Sequence, residues 1–415
     1  MTSTRPSVSV VIPTHNRRLS LALTLDSIGR QTVSPEIFEV IVIADGCQDG
    51  TQEMLSQYRA GYRLAIISQA GLGSSAARNA GAAQATGELI IFLDDDIRAS
   101  PGLIESHFKA HQKNPDSAVI GYYPPRSDDQ PGLFRIALYT WWEKMFDQMR
   151  QAGHRFSCTE ILSGNFSISA ETFRRLNGFD PALEVHEDYE FGMRLIKENI
   201  PIIFEPEALG YHYQATDIKG SLSRKFQEGK ADVILGRLHP ELRSTLLMYK
   251  LIQFPGLYNN LLGTLAFHLA FLGDVMAKML YVGLGVLEWL RLRWFWRRLL
   301  DGLMAYWYWR GVARHLRSLD EVKRYLEEPG PPQTGPDIDL DLAEGLEAAE
   351  QLLDRARPTC AAIHYGPHLV GWIPPRPGAE CLRGVHLRRI LAVELLPALR
   401  RALIQAGAAD VFGSK

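Results

Sequence analysis

One stretch of this chain runs from apolar residues straight into three aspartates. Leu89 to Leu93 is rich in β-branched and aromatic residues and predicts a buried strand, and Asp94-Asp95-Asp96 follows it directly. Such a strand delivers its acids to the carboxyl edge of a sheet, where ligands bind in open α/β folds. Neighbouring carboxylates repel unless a cation lies among them, and their oxygens suit Mg²⁺, Ca²⁺ or Mn²⁺. A solvated acidic turn that caps the next helix explains the three residues equally well.

Strand and helix patterns alternate through the first half of the chain. Strand patterns at Val8–Ile12, Val40–Ala44 and Leu64–Ile67 are each followed by a stretch with helical spacing of apolar or small residues. This order predicts the α/β class, with a mixed, mostly parallel sheet and helices on both faces.

Composition narrows the class of protein. The 415 residues leave room for two or three domains, and a net charge of −2 gives no indication of a nucleic-acid partner. The four cysteines are widely spaced, which is typical of reduced thiols in a cytoplasmic protein. The first residues are polar and lack the apolar core of a signal peptide, so we expect no export.

A glycine-rich segment offers a dinucleotide-binding interpretation. Gly71 to Ala76 fits the G-x-G-x-x-[GA] pattern between a strand and a helix, and Asp94 follows at about the spacing of the ribose-binding acid. A NAD-type oxidoreductase is therefore one alternative. Against it, the glycines follow the third strand rather than the first, and the pattern leaves Asp45 and Arg78 unexplained. Small residues in such a helix also serve close packing on a sheet.

Several motifs, taken in their order along the chain, resemble the nucleotide-sugar half of family 2 glycosyltransferases, which have the GT-A fold. They are Val10–Arg17, Asp45–Thr51, Ala77–Gly81 and Gly87–Asp96, and the resemblance extends over about residues 7 to 215. It implies a Rossmann-like mixed sheet and a nucleotide-diphospho-sugar donor. The D-x-D signature of the family falls on Asp94 and Asp96.

The resemblance also implies roles for residues around the donor. Asp94 would lie near the ribose, and Asp96 would reach a Mn²⁺ or Mg²⁺ ion that neutralises the departing diphosphate. The implied nucleotide-sugar-binding residues are Pro13, Thr14, Asn16, Asp45, Arg78, Asp94, Asp95, Gly164 and Asn165. For Asp45 a turn residue, and for Arg78 a surface salt bridge, are the alternatives.

A second acidic site lies at a helix start. His186-Glu187-Asp188 resembles the E-D motif of the family, and sugar transfer needs a base for the acceptor hydroxyl. Asp188 is the candidate base, with Glu187 adjacent and directed elsewhere on the helix. An acid-rich helix N-terminus is the alternative. His212 lies where the family commonly has a metal-binding histidine, and packing between Tyr211 and Tyr213 is the alternative. A single base implies inversion at the anomeric carbon.

The resemblance ends before residue 240. Leu251–Gly273 contains no Asp, Glu, Lys or Arg and is long enough to span a bilayer, although Pro255-Gly256 interrupts it. A buried or re-entrant hairpin is equally compatible. Farther on, apolar residues fall on one helical face and arginines elsewhere, which indicates a helix at the membrane interface or one packed on the catalytic domain. The apolar face comprises Trp289, Leu292, Trp296, Leu299, Leu300 and Leu303.

These patterns divide the chain into four parts. We expect a GT-A catalytic domain at 1–240, a helical hydrophobic or amphipathic region at 241–327, a Pro/Gly-rich linker at 328–336 and a small α+β domain at 337–415. In the last part the sequence predicts a helix at Leu340–Arg357 and another at Leu387–Gln405.

The sequence as a whole favours a metal-dependent glycosyltransferase. It would move a sugar from a nucleotide-diphosphate sugar to a glycan or lipid-linked hydroxyl, as in polysaccharide biosynthesis, on the cytoplasmic face of a membrane. A sugar nucleotidyltransferase is an alternative within the same fold. It would require a Gly-rich basic loop after the first strand, but this chain has Pro13–Arg17 at that position. An inactive scaffold of membrane-bound assembly is the non-enzymatic alternative, and the presence of all the proposed acids counts against it.

Overall fold

Eight strands form one mixed sheet in the computed structural model, which describes residues 6–127, 132–213, 216–253, 256–327 and 338–408. In chain order they are β1 (Val8–Thr14), β2 (Phe38–Asp45), β3 (Arg63–Gln69), β4 (Leu89–Leu93), β5 (Ile97–Ala99), β6 (Ala118–Tyr122), β7 (Asn165–Ser169) and β8 (Ile202–His212). Their order across the sheet is β3-β2-β1-β4-β7-β6-β8-β5.

The pairing of these strands confirms the predicted α/β class with a mixed, mostly parallel sheet. The β1–β2, β2–β3, β1–β4 and β6–β8 pairs are parallel, whereas β7 runs antiparallel to β4 and β6 and β5 antiparallel to β8. β1 extends through Pro13, where the sequence suggested a break. Proline is tolerated there because the β1–β4 pairing ends at Val11 and Phe92, two residues earlier.

Seven helices accompany the sheet. They are α1 (Arg18–Ile28), α2 (Thr51–Gln57), α3 (Ser74–Gln84), α4 (Leu103–Lys113), α5 (Leu133–Met149), α6 (Ala170–Arg175) and α7 (Glu187–Lys197). The small-residue helix α3 lies close to β1 and β2, because a methyl group at Gly81 would overlap the side chains of Val11 and Ile43.

Six further helices follow. They are α8 (Ile218–Leu238), α9 (Leu247–Ile252), α10 (Gly256–Gly263), α11 (Ala270–Trp289), α12 (Arg293–Val312) and α13 (Leu319–Glu327), with a π-helical segment at Thr264–His268. The apolar stretch 251–273 is thus divided among several short elements, and residues 254–255 lie outside the described chain.

The amphipathic face expected to meet a membrane is divided, because Trp289 and Leu292 are 81% and 41% exposed whereas three other members are buried. Trp296, Leu300 and Leu303 on α12 are buried, at 2–4% exposure. For these three residues burial favours packing within the protein, and contact of the region with a membrane stays a prediction. The core they join is continuous, since one cluster of buried apolar side chains includes residues from Val8 to Tyr325. The boundary at residue 240 stays a prediction.

A second, smaller core belongs to the C-terminal segment. Its elements are β9 (Ile338–Asp341), β10 (Ala361–Tyr365), β11 (His368–Ile373), α14 (Leu346–Ala356), α15 (Gly384–Val393) and α16 (Leu396–Gln405). The helix predicted to begin at Leu340 is wrong there, because β9 pairs with β10. The single helix predicted at 387–405 is two, because Pro397 cannot continue a helix from the preceding turn. The predicted linker 328–336 lies outside the described residues.

Candidate active site

The three aspartates after β4 occupy different environments. Asp94 is partly exposed, with 31% of its side chain accessible, whereas Asp95 and Asp96 are buried. Asp95 accepts a 2.6 Å hydrogen bond from Thr14 Oγ1. The Arg17 Nη1 donates to Asp95 Oδ1 at 3.0 Å and to Asp96 Oδ2 at 2.7 Å. The protein therefore places its own cation between two of the acids.

These surroundings separate the pKa values of the two buried acids. Burial raises the pKa of Asp95 to about 6, against the opposing effects of Arg17 and Thr14. Burial also opposes ionisation of Asp96, but the neighbouring His212 and Arg17 prevail and hold its pKa below the usual value. Asp96 is therefore the more acidic of the two carboxyl groups.

Asp96 and His212 suit a cation that takes its other ligands from substrate. His212 Nε2 lies 3.2 Å from Asp96 Oδ1, and within the described residues this oxygen has no partner with hydrogen-bond geometry. Across the same residues, no group of three or more His, Cys, Asp or Glu side chains could hold a metal ion. Mg²⁺ is commonly held by one or two carboxylates plus substrate phosphates, so two protein ligands fit. A cleft of about 360 Å³ opens onto Asp96 and Arg17.

Arg78 connects this edge of the sheet to the second acidic site. Its guanidinium is buried and donates from Nη2 to Asp94 Oδ1 at 2.7 Å and from Nη1 to Glu187 Oε1 at 2.9 Å. The expected alternative of a surface salt bridge is wrong, because burial makes this a desolvated ion-pair network. The network brings the predicted donor acid and the start of α7 into one site.

Asp188 is the less engaged of the two adjacent acids. Glu187 is buried and paired with Arg78, whereas Asp188 is partly exposed and accepts a 3.0 Å bond from the Tyr189 backbone N–H. Burial and the charge of Glu187 raise the pKa of Asp188 to about 6, against His186, Arg224 and Arg78. A carboxylate with this pKa is a competent proton acceptor near neutral pH.

The residue before these acids has an unusual backbone. His186 lies at φ +63°, in the left-handed region that non-glycine residues seldom adopt, and its Nδ1 is 3.0 Å from Asp232 Oδ1 on α8. Burial favours the neutral imidazole, but Asp232 raises the pKa of His186 above its usual value. The His186–Asp232 contact therefore fixes the turn that presents Asp188.

The predicted base-binding residues surround the ends of β1 and β2. Asp45 is buried and accepts bonds from Gln69 Nε2 and from the backbone N–H groups of Leu72 and Gly73, at 2.7–2.8 Å. The backbone amides of Leu72 and Gly73, which a dinucleotide pyrophosphate would need, already bind Asp45. This counts against the dinucleotide alternative. Pro13 is half-buried, and Asn16 is exposed at φ +53°.

Gly164 and Asn165 lie behind the donor acids. A methyl group on Gly164 would come within 2.8 Å of Asp94 Oδ2, so only glycine permits this approach. Asn165 is fully buried, with its amide bonded to His107 Nε2 and the Ala208 carbonyl. It can therefore shape the floor of the site only from behind.

Three residues near the site were not among the predicted ones. Arg17 could have been found as a cation shortly after β1, at the same sheet edge as the acids. His186 is adjacent to the acidic pair. Asp232 carries no local signal, because it lies in the middle of α8 and only the tertiary packing brings it to His186.

Part of the chain is similar in sequence to known glycosyltransferases. The family model "Glycosyl transferase family 2" matches residues 9–176. Validoxylamine A glucosyltransferase of Streptomyces hygroscopicus subsp. limoneus is 32% identical over 238 residues, covering 50% of this chain and 52% of the relative. Glycosyltransferase AglE of Haloferax volcanii is 42% identical over 98 residues, covering 23% and 32%. The chain thus spans about half or less of the length of these relatives.

Solved structures with similar architecture include two sugar-nucleotide complexes. S. aureus TarS with UDP covers 72% of this chain and 90% of its own, at 16% identity and TM-score 0.44. The mannosyltransferase PcManGT of Pyrobaculum calidifontis, with GDP-Man and Mn²⁺, covers 73% and 87%, at 17% identity and TM-score 0.47. Residues 9–176 of this chain are thus similar to glycosyltransferase family 2.

Proposed function

We propose that this chain transfers a sugar from a nucleotide-diphosphate sugar to a hydroxyl acceptor, with inversion and with dependence on a divalent metal. The observation that carries the proposal is the Arg78 bridge, which holds Asp94 and the start of α7 in one site. A donor bound at Asp94 would therefore lie beside the partly exposed carboxylate of Asp188. Proximity of a base to the reacting hydroxyl is the requirement for general base catalysis.

The transfer itself needs one base and one leaving group. Asp188 accepts the proton of the acceptor hydroxyl while that oxygen forms a bond to the anomeric carbon. The bond from that carbon to the diphosphate oxygen breaks on the opposite face, and its electron pair leaves with the diphosphate. A single displacement of this kind inverts the configuration. Mn²⁺ or Mg²⁺, when bound by Asp96 and His212, would supply positive charge to the leaving diphosphate.

The residues around Asp188 tune it for this task. Arg78 pairs with Glu187, and the charge of Glu187 helps burial to raise the pKa of Asp188. Asp188 keeps a raised pKa and can release its proton to bulk solvent after transfer because it is partly exposed. Hydrolysis by two carboxylates on opposite sides of a bond is not favoured, since Glu187 and Asp188 are sequence neighbours.

The class of acceptor and the identity of the sugar are proposals that rest on the relatives. The relative named as a glucosyltransferase makes a glucose-bearing donor the first to test. Glycan and lipid-linked hydroxyls are the acceptors that we propose, on the cytoplasmic side of a membrane. The exposed apolar surface described below supports the lipid-linked case.

Calorimetry of donor binding tests the proposal. UDP-, GDP- and dTDP-sugars are titrated with and without Mn²⁺ into wild type, Asp96→Asn and the control Asp147→Asn, whose side chain is 65% exposed on α5. Metal-dependent binding of one nucleotide class, lost only in Asp96→Asn, supports it. Binding of NAD(H) instead would overturn it, and binding of no nucleotide would favour the scaffold alternative.

Product configuration tests inversion separately. NMR coupling at the anomeric proton of the product distinguishes the two configurations. Retention of the donor configuration would contradict the single displacement while leaving the donor assignment intact.

A further inference from the structure

The α11–α12 hairpin, residues 270–312, exposes an unusual number of large apolar side chains. Phe271, Val282 and Trp289 are 84%, 68% and 81% exposed. Others on the same surface are Leu272, Val275, Met279, Leu280, Val286, Leu290, Leu292, Trp294 and Phe295. Soluble proteins seldom leave so large a contiguous apolar surface in water, and such a surface marks a contact with a membrane or another protein.

The base of the hairpin is fixed to the rest of the protein. Asp274 accepts bonds from Tyr306 Oη at 2.6 Å and from Arg310 Nε at 2.9 Å. Gly273 lies against the Tyr306 ring, because a methyl group there would overlap it. The hairpin is therefore fixed at its base, and its turn, residues 290–292, lies at the other end of the two helices.

This arrangement favours a helix that lies on a bilayer over one that crosses it. Within the described residues, α11 is the single helix long and apolar enough to span a membrane by length and composition. Spanning would carry the Asp274–Arg310 pair toward the hydrocarbon, along with the α12 residues packed on α11, and buried charges there are costly. An interfacial helix needs only one apolar face, and α11 has one.

The charge of the hairpin indicates which kind of surface it meets. It carries six basic and three acidic residues, although the whole chain has a net charge of −2. The acids are engaged within the protein: Asp274 with Arg310, Asp301 with Arg297, and Glu288 with the Leu133 backbone N–H. Four basic residues remain around the apolar surface, namely Lys278, Arg291, Arg293 and Arg298. Arginine and tryptophan together are typical of the headgroup region of a membrane.

We propose that the α11–α12 hairpin is an interfacial membrane anchor for bilayers that contain anionic lipid. The apolar side chains of α11 and of the turn enter the boundary of the acyl chains, and Arg291, Arg293 and Arg298 contact lipid phosphates. Burial of the apolar surface supplies a binding energy that salt does not screen, and the arginines add one that salt does. This inference goes beyond the proposed function, and its test needs no donor or acceptor.

Vesicle co-sedimentation of the full chain tests the anchor. Phosphatidylcholine vesicles with and without phosphatidylglycerol are compared for wild type and the triple variant Phe271→Ser, Val282→Ser, Trp289→Ser. The matched control, Leu369→Ser, Trp372→Ser, Val393→Ser, removes side chains that are 62%, 46% and 67% exposed in the C-terminal segment. We expect wild type and control to bind the vesicles that contain phosphatidylglycerol. The hairpin variant should bind these vesicles more weakly, by a factor of roughly ten or more.

A charge variant separates the two contributions. Arg291→Gln, Arg293→Gln, Arg298→Gln should weaken binding to phosphatidylglycerol vesicles roughly tenfold and leave binding to pure phosphatidylcholine unchanged. All replaced side chains in the hairpin variant are exposed, so circular dichroism should show an unchanged fold. Absence of wild-type binding to either vesicle would overturn the proposal. Equal loss of vesicle binding in the control variant would also overturn it. So would a result in which wild type is a dimer, the hairpin variant is a monomer and neither protein binds vesicles.

Discussion

Tyr308 Oη donates a 2.5 Å hydrogen bond to Asp232 Oδ2, and the other oxygen of Asp232 faces His186 Nδ1. The three side chains come from α12, α8 and the residue before α7. They form a buried polar chain from the C-terminal helices to the turn that presents Asp188. Buried networks of this kind are stabilising only while every member keeps its partners.

Loss of the tyrosine hydroxyl should therefore be costly. Tyr308→Phe removes the hydroxyl group that donates to Asp232. The Met248 backbone N–H, which donates to that hydroxyl oxygen at 3.0 Å, also loses its partner. We expect the free energy of unfolding to fall by about 2–3 kcal/mol, because two buried polar groups lose a bond and one is charged. Urea denaturation measures this. Tyr281→Phe on exposed α11 is the control and should change stability by less than about 0.5 kcal/mol.

Arg78 should matter for both stability and activity. Arg78→Gln leaves Glu187 buried without its cation, and breaking a buried pair costs about 3–5 kcal/mol. Because Asp94 is partly exposed, we expect the lower end of this range. The exposed pair of Arg175 and Glu198 provides the control, and Arg175→Gln should cost under about 1 kcal/mol. Similar losses in the two variants would contradict a desolvated network.

The pH dependence of the reaction should report Asp188. A base works only when ionised, so kcat/KM should rise with pH and level off, with a midpoint near the pKa of about 6. An unperturbed aspartate would give a midpoint near about 4. Asp188→Asn should lower kcat by roughly 10²–10⁴. Asp95 has a similar pKa, so Asp95→Asn must retain the acidic limb if Asp188 is responsible.

Ionisation of Asp188 should also lower the free energy of unfolding at neutral pH. Its pKa is higher in the folded than in the unfolded chain, so the folded state binds more protons between about pH 4 and 6. Stability contributed by this group therefore decreases as pH rises through that window. We expect Asp188→Asn to be more stable than wild type at pH 7 and equal to it below about pH 4, by urea denaturation. The control Asp147→Asn should show no such divergence.

Two glycines should control the crossing of α8 and α12. A methyl group on Gly229 would overlap the carbonyl oxygen of Tyr308, and one on Gly311 the carbonyl oxygen of Phe226. Gly229→Ala should therefore lower the free energy of unfolding by about 1–3 kcal/mol. Gly285 on α11 has open space around it, so Gly285→Ala should instead stabilise by up to about 1 kcal/mol. Thermal unfolding of the pair compares the two.

Local patterns in the sequence were sufficient for strands β1 to β4 and for the acids that follow β4. The run from Leu89 to Asp96 needs no distant residue to be interpreted, and the sheet places it as predicted. Partners that lie far along the chain were not predictable, because nothing local distinguishes Arg78 as the cation that Glu187 will meet. Periodicity likewise identified the apolar face of this helical region but not which of its members are covered: Trp296, Leu300 and Leu303 are buried, whereas Trp289 is 81% exposed.

The close crossing of α8 and α12 has a practical consequence for preparing a catalytic fragment. A truncation after residue 240 would keep every motif of the family yet uncover Gly229, strip the tyrosine from Asp232 and expose the buried face of α8. A fragment that also keeps the Tyr325 hydroxyl, which donates to the Val233 carbonyl on α8 at 3.0 Å, extends through α13 to Glu327. Solubility would then be sought by replacing side chains on the outer surface of α11, while its contacts with α12 are retained.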